Sequence, residues 1–214
     1  MTTKSSLATM AFALYAFMVA IYLSVGGLIQ AKWDLPGIAF NEVFLLALPA
    51  FLFAYFMGLN LKKVFPFRTP AFRDWLLILL LTAIVIVFLE TLVYFQEKIW
   101  PLPQKIQTFY EQLLVKKNWR ESAEKFLILA LVPAFCEEIF FRGFLQSLLS
   151  QEFPPWKTIL LIALFFAVAH ANPWYFSYYF CLGAFLAWCR YWRGNLWLCM
   201  LIHLANNAYS LYGG

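Results

Sequence analysis

Lys125–Leu149 reads KFLILALVPAFCEEIFFRGFLQSLL. The run is long enough to span a bilayer. Between its ends only Glu137, Glu138 and Arg142 are charged. An ionised carboxylate at bilayer depth costs several kcal/mol, so a chain keeps one only against other protein or a water-filled cavity. The stretch therefore predicts a helix inside a membrane bundle, with a polar site at its middle.

The rest of the chain supports a membrane class. Of its 214 residues 64% are hydrophobic and 21% aromatic, and the mean hydropathy is +0.73. Soluble domains are nearer half apolar. The predicted fold is all-α: a polytopic transmembrane helix bundle of about seven spans. It forms one integral membrane domain over residues 1–214, with a motif-bearing core at about 125–212 and N-terminal spans over about 7–95. The net charge of +5 lies mostly in loops, where it sets topology and meets lipid headgroups. No basic stripe with interleaved aromatics is present, so no nucleic-acid partner is expected.

Seven apolar segments stand out, at roughly 7–29, 43–61, 75–95, 125–150, 156–171, 174–192 and 195–212. The first is too long for a signal-peptide core and is read as a retained span. The fifth is short, and Asn172-Pro173 should break it. Between the third and fourth, Ile106, Phe109, Leu113 and Leu114 recur at helical spacing opposite Lys105, Glu111 and Lys117. This pattern predicts an amphipathic interfacial helix, with a plain loop as the alternative. Basic residues in the shorter loops favour an N-terminus on the inside. Cys136, Cys181, Cys189 and Cys199 all fall in apolar spans without a CxxC pair, and are read as packing residues. Cys136 adjoins the glutamates, and a neighbouring carboxylate works against a nucleophilic thiolate.

Three spans each carry a polar cluster: Glu137-Glu138 with Arg142, then His170, then His203 with Asn206 and Asn207. Glu138 and Arg142 are four apart and so share a helix face. Glu137 points about 100° away and is left for another partner. His203 and Asn207 are also four apart. Counted from a common side, Glu137 lies roughly 18–20 Å deep, His170 roughly 21 Å and His203 roughly 12–15 Å. The three clusters thus reach overlapping depths. A glutamate held by a histidine can take a proton from water and deliver hydroxide to a carbonyl. A second imidazole with a carboxamide can donate to the oxyanion that forms. The same groups could instead hold a zinc ion. Both arrangements point to hydrolysis of an amide.

The pattern E-E-I-F-F-R (Glu137–Arg142), F-A-V-A-H (Phe166–His170) and H-L-A-N-N (His203–Asn207) resembles a known family of intramembrane endopeptidases. These are the type II CAAX prenyl proteases and bacteriocin-processing or self-immunity proteins, called the CPBP or Abi family. The resemblance covers about 125–212. It implies Glu137 as the base that activates water, assisted by His170. It implies His203 and Asn207 as the oxyanion-binding pair, and Glu138 with Arg142 as support. No HExxH run is present, and no cofactor is expected. If zinc is used, Glu137, His170 and His203 would hold it. The implied partner is a membrane-associated protein or peptide: prenylated, a precursor, or a C-terminal sorting tail. The implied location is the cell (inner) membrane.

Two other classes compete. Intramembrane Glu, His and Arg also mark proton-coupled transporters, but no paired halves with matching broken segments are seen. A non-catalytic immunity or scaffold protein would keep the bundle without the reaction. A serine protease is disfavoured, because no GxSxG turn is present.

Overall fold

The computed structural model describes residues 6–213, and all regular structure among them is helical. Eight principal helices follow one another: α1 (Leu7–Trp33), α2 (Leu35–Phe56) and α3 (Phe72–Ile99); α4 (Gln104–Leu114); α5 (residues 119–149); α6 (Pro155–Ala169), α7 (Phe176–Arg193) and α8 (Leu196–Tyr212). A single turn at Leu61–Val64 lies between α2 and α3. α1, α2 and α3 are each long and apolar enough to cross a membrane.

Local sequence sets the ends. Ser6, Asn118 and Asn195 cap α1, α5 and α8, each side-chain oxygen accepting from a backbone N–H two or three residues on. Gly194 closes α7 in the left-handed region at φ 58°. α6 stops at Ala169, three residues before Asn172-Pro173 begins to matter, so His170 sits at the helix end. α2 starts eight residues before the predicted second span. The segment DLPGIAFNE, which reads as a loop, is partly helix, because Pro36 occupies the first turn where a missing N–H is harmless. This brings Asn41 and Glu42 inside the bundle. A helix, α4, stands where the amphipathic pattern lies.

α5 is the central element. Phe140, Phe141, Arg142, Phe144, Leu145, Leu148 and Leu149 are all buried. α2 and α8 pack on its Val132–Glu138 segment. Two stretches of α5, Phe126–Leu131 and Ile139–Leu145, wind as wide π turns around that segment. The first precedes Pro133, whose ring cannot accommodate a regular upstream turn. α6 and α7 form a tight hairpin. Gly183 permits it, since a Cβ there would lie 3.1 Å from Ala163 Cα. The outside is apolar: α3 exposes Leu76, Leu79, Leu80, Ile84, Val87 and Phe88. A surface of that kind belongs in lipid.

Candidate active site

α5, α6 and α8 bring the three polar clusters together. Glu138 and Arg142 are both fully buried, and Arg142 Nη1 donates to Glu138 Oε1 at 2.7 Å. The four-residue spacing predicted this pair. Arg142 also donates from Nη2 to Gly183 O at 3.1 Å, which ties α5 to α7. Its guanidinium carbon lies 4.4 Å from the centre of the Phe166 ring, within cation–π range. Phe166 therefore packs at the heart of the cluster.

His203 Nδ1 lies 2.9 Å from Glu138 Oε1. A carboxylate already paired with an arginine accepts, so Nδ1 carries the proton and donates. His170 Nδ1 lies 2.7 Å from Phe166 O. A carbonyl can only accept, so this nitrogen also donates. Each imidazole, when neutral, therefore presents an unprotonated Nε2. Both Nε2 atoms stand 3.9 Å from one atom, Glu137 Oε2. That oxygen is buried and has no hydrogen-bond partner.

Tyr179 stacks on the His170 ring, with centroids 3.8 Å apart and planes inclined by 22°. Asn207 lies one turn beyond His203 and is partly buried. Its neighbour Asn206 is buried and donates to Tyr178 Oη at 2.8 Å. Cys136 is buried and free. Asn172 closes the turn after α6 by accepting from the backbone N–H groups of Trp174 and Tyr175. It also donates to Tyr110 Oη of α4 at 2.8 Å, which tethers α4 near His170.

The cluster opens outward through His170 and Glu137, whose side chains are 22% and 12% exposed, against 3% for His203. Two surface cavities, of about 290 and 600 Å³, lie elsewhere and include none of these three residues.

Two Nε2 lone pairs and a carboxylate are a zinc donor set in kind. The Nδ1–H groups held by a carbonyl and a carboxylate are the usual supporting contacts. The spacing is open, however. Tetrahedral zinc would hold such donors about 3.3 Å apart, against the 3.9 Å found. Among the described residues no three His, Cys, Asp or Glu side chains stand close enough to enclose a metal ion.

Sequence reasoning missed two residues. Glu42 of α2 is 3% exposed and accepts from Tyr22 Oη of α1 at 2.6 Å. The α2 segment that carries it packs on Val132–Glu138. The available signal was Asn41-Glu42 at the edge of an apolar run.

A buried carboxylate–imidazole cluster among apolar helices defines a class, the helical membrane proteins with polar chemistry inside the bundle. Residues 119–209 match the family described as type II CAAX prenyl endopeptidase Rce1-like. That segment, which contains Glu137, Glu138, Arg142, His170, His203 and Asn207, is similar to the family. The family is one of CAAX proteases, which act on membrane-associated protein substrates. No curated protein and no solved structure matches the chain.

Proposed function

We propose that the protein is an intramembrane endopeptidase in which Glu137 activates water for attack on a peptide bond. The observation that carries this reading is the convergence of His170 Nε2 and His203 Nε2 on Glu137 Oε2, each at 3.9 Å. A water molecule among these three atoms meets the Glu137 carboxylate and the acceptor Nε2 of His170. It gives a proton to Glu137 while its oxygen bonds to the carbonyl carbon. His170 accepts the water's other hydrogen bond and aligns the lone pair. His203 enters the cycle as the imidazolium, with Nδ1–H held by Glu138, which balances the charge; it donates to the oxyanion from Nε2 and keeps both protons throughout. Asn207 supplies the second donor. When the C–N bond breaks, Glu137 returns its proton to the amine.

The buried ion pair and the apolar exterior support α1–α3 and α5–α8 as spans of the cell membrane. The amphipathic α4 would lie at its surface. The substrate would be a protein or peptide held at that membrane, and a prenylated C-terminus is the first candidate given the family's description. A zinc-dependent variant is favoured by one observation, the pair of free Nε2 lone pairs. Glu137, His170 and His203 would then hold the ion, which would itself acidify the bound water.

The test is cleavage of a farnesylated CaaX peptide, a palette of membrane-anchored precursor peptides, and a C-terminal sorting-tail peptide by purified protein. Glu137→Gln should remove cleavage while the protein still folds. Cleavage by wild type and Glu137→Gln alike would refute the mechanism. Loss of activity on chelation, restored by zinc, would select the metal form.

A further inference from the structure

α2 ends at Phe56, α3 begins at Phe72, α5 ends at residue 149, and α6 begins at Pro155. Together with the turn from α7 to α8 at Gly194-Asn195, they make up one end of the bundle. Residues 57–71 are pinned across that end. Ser147 Oγ donates to Val64 O at 3.4 Å, and Arg190 Nη2 donates to Lys63 O at 3.4 Å. Asn195 exchanges hydrogen bonds with the backbone of Arg68. His170 stands at the other end of α6, 15 residues and roughly 22 Å away at 1.5 Å per residue. Trp156, Tyr191 and Trp192 are all exposed at the pinned end. Such aromatics gather at the headgroup level of a membrane.

The larger of the two surface cavities, about 600 Å³, is sunk into this end. Small ligands usually occupy clefts of roughly 300–1,000 Å³. The lining includes two cations, Lys63 and Arg190, and no acidic residue. Neither cation joins an ion pair among the described residues. Arg190 Nε is buried without a partner. Gln146, also in the lining, is 4% exposed. Its Nε2 donates to Ala187 O at 2.9 Å, so Oε1 is its free end, and that oxygen too is buried without a partner. A buried donor or acceptor left unpaired is costly. A cationic donor and a neutral acceptor on one cavity suit a ligand that carries both an anion and a hydroxyl. The smaller cavity differs, because its Arg193 is already paired with Asp74.

We propose that the larger cavity binds the phosphate of an anionic phospholipid headgroup, with Lys63 and Arg190 on the phosphate oxygens and Gln146 Oε1 accepting from a headgroup hydroxyl. Phosphatidylglycerol carries both groups. The exposed aromatics and the apolar outside of the bundle favour a lipid over soluble phosphate. Occupancy also bears on the fold. Arg142 donates to Gly183 O and Gln146 to Ala187 O, so α5 and α7 are tied at two successive turns. A headgroup on Gln146 braces the second tie. None of this depends on the endopeptidase reading.

The test is thermal unfolding of the full chain in neutral detergent, stripped of co-purified lipid and titrated with phosphatidylglycerol or with phosphatidylcholine of the same chains. Phosphatidylglycerol at about a hundredfold excess over its dissociation constant should raise the melting temperature by roughly 5–10 °C. Phosphatidylcholine should raise it much less. Lys63→Gln should weaken phosphatidylglycerol binding roughly fivefold, the worth of one basic residue against an anionic lipid. Arg190→Gln should weaken it about tenfold. Lys63 is exposed and its ammonium makes no hydrogen bond or ion pair among the described residues, so Lys63→Gln decides even if Arg190→Gln fails to fold. Lys157→Gln, at the same end but outside the cavity, should leave the affinity unchanged. Equal shifts from the two lipids, or equal weakening by Lys63→Gln and Lys157→Gln, would overturn the site. Inorganic phosphate at millimolar concentration should leave the melting temperature unmoved. A rise with inorganic phosphate that Lys63→Gln removes, without any from phosphatidylglycerol, would overturn the lipid and leave a soluble phosphate as the ligand.

Discussion

Glu138 and His203 are 65 positions apart, yet Glu138 Oε1 lies 2.9 Å from His203 Nδ1. The same oxygen accepts from Arg142 at 2.7 Å. One buried carboxylate thus fixes an arginine on its own helix and the ring of a histidine on α8. The rotation of His203, and hence the direction of its Nε2, is set by this contact.

Arg142→Met should accordingly be among the most damaging single changes. It leaves Glu138 buried with half its partners, and removing one member of a buried pair costs about 3–5 kcal/mol. Arg142→Lys should recover little, because an ammonium cannot reach both Glu138 and Gly183 O in the forked geometry found here. Thermal unfolding in detergent measures both. A melting temperature within a degree or two of wild type for Arg142→Met would contradict the assignment of Glu138 as an ionised, arginine-dependent group.

Asn206 and Asn207 should separate by phenotype. Asn206 is buried and donates to Tyr178 at 2.8 Å, so Asn206→Ala should cost about 1–3 kcal/mol by leaving a polar group unpaired. Asn207 is only partly buried and is proposed to meet the oxyanion. Asn207→Ala should leave unfolding unchanged and lower kcat by about 10²–10³-fold, the loss typical of one oxyanion donor. Paired melting curves and steady-state rates read the difference, and a reversal of the two phenotypes would reassign the donor.

Much of this arrangement was legible in the chain. Hydropathy located every long helix, because burial in lipid leaves continuous apolar runs. The Glu138–Arg142 pair followed from a four-residue spacing, which is a property of one helix. The contact between Glu138 and His203 did not, since ring rotation across two helices is set by packing. Glu42 was hidden for another reason. It lies just after Pro36 and Gly37, which favour turns, and its helix begins earlier than they suggest. Tyr22 was hidden because tyrosine is unremarkable near a membrane interface.

Gly143→Ala tests how tightly α5 is held. A Cβ at Gly143 would lie 2.6 Å from Phe65 Cδ1 and 2.8 Å from Cε1. Phe65 is itself buried, so its ring has little room to yield. The substitution should cost about 1–3 kcal/mol through overpacking. Phe65→Leu in the same chain should return part of that loss, giving a favourable coupling in a double-mutant cycle. Additive losses would mean that the ring is not the obstacle.

Tyr179 offers the sharpest separation between holding the fold and holding the chemistry. His170 lies at the C-terminal end of α6, where one hydrogen bond to Phe166 O orients the ring but leaves it free to tilt. Tyr179 removes that freedom by stacking at 3.8 Å. Without the stack, Nε2 is no longer fixed relative to Glu137, and a displacement of about 1 Å at a reacting group can cost 10²-fold in rate. Tyr179→Leu should therefore lower kcat by about that factor with a small change in melting temperature. Tyr179→Phe, which keeps the ring, should stay close to wild type. If Tyr179→Phe lost as much rate as Tyr179→Leu, the hydroxyl and not the stack would be the active feature, and the role given to His170 would have to include a proton path through Tyr179.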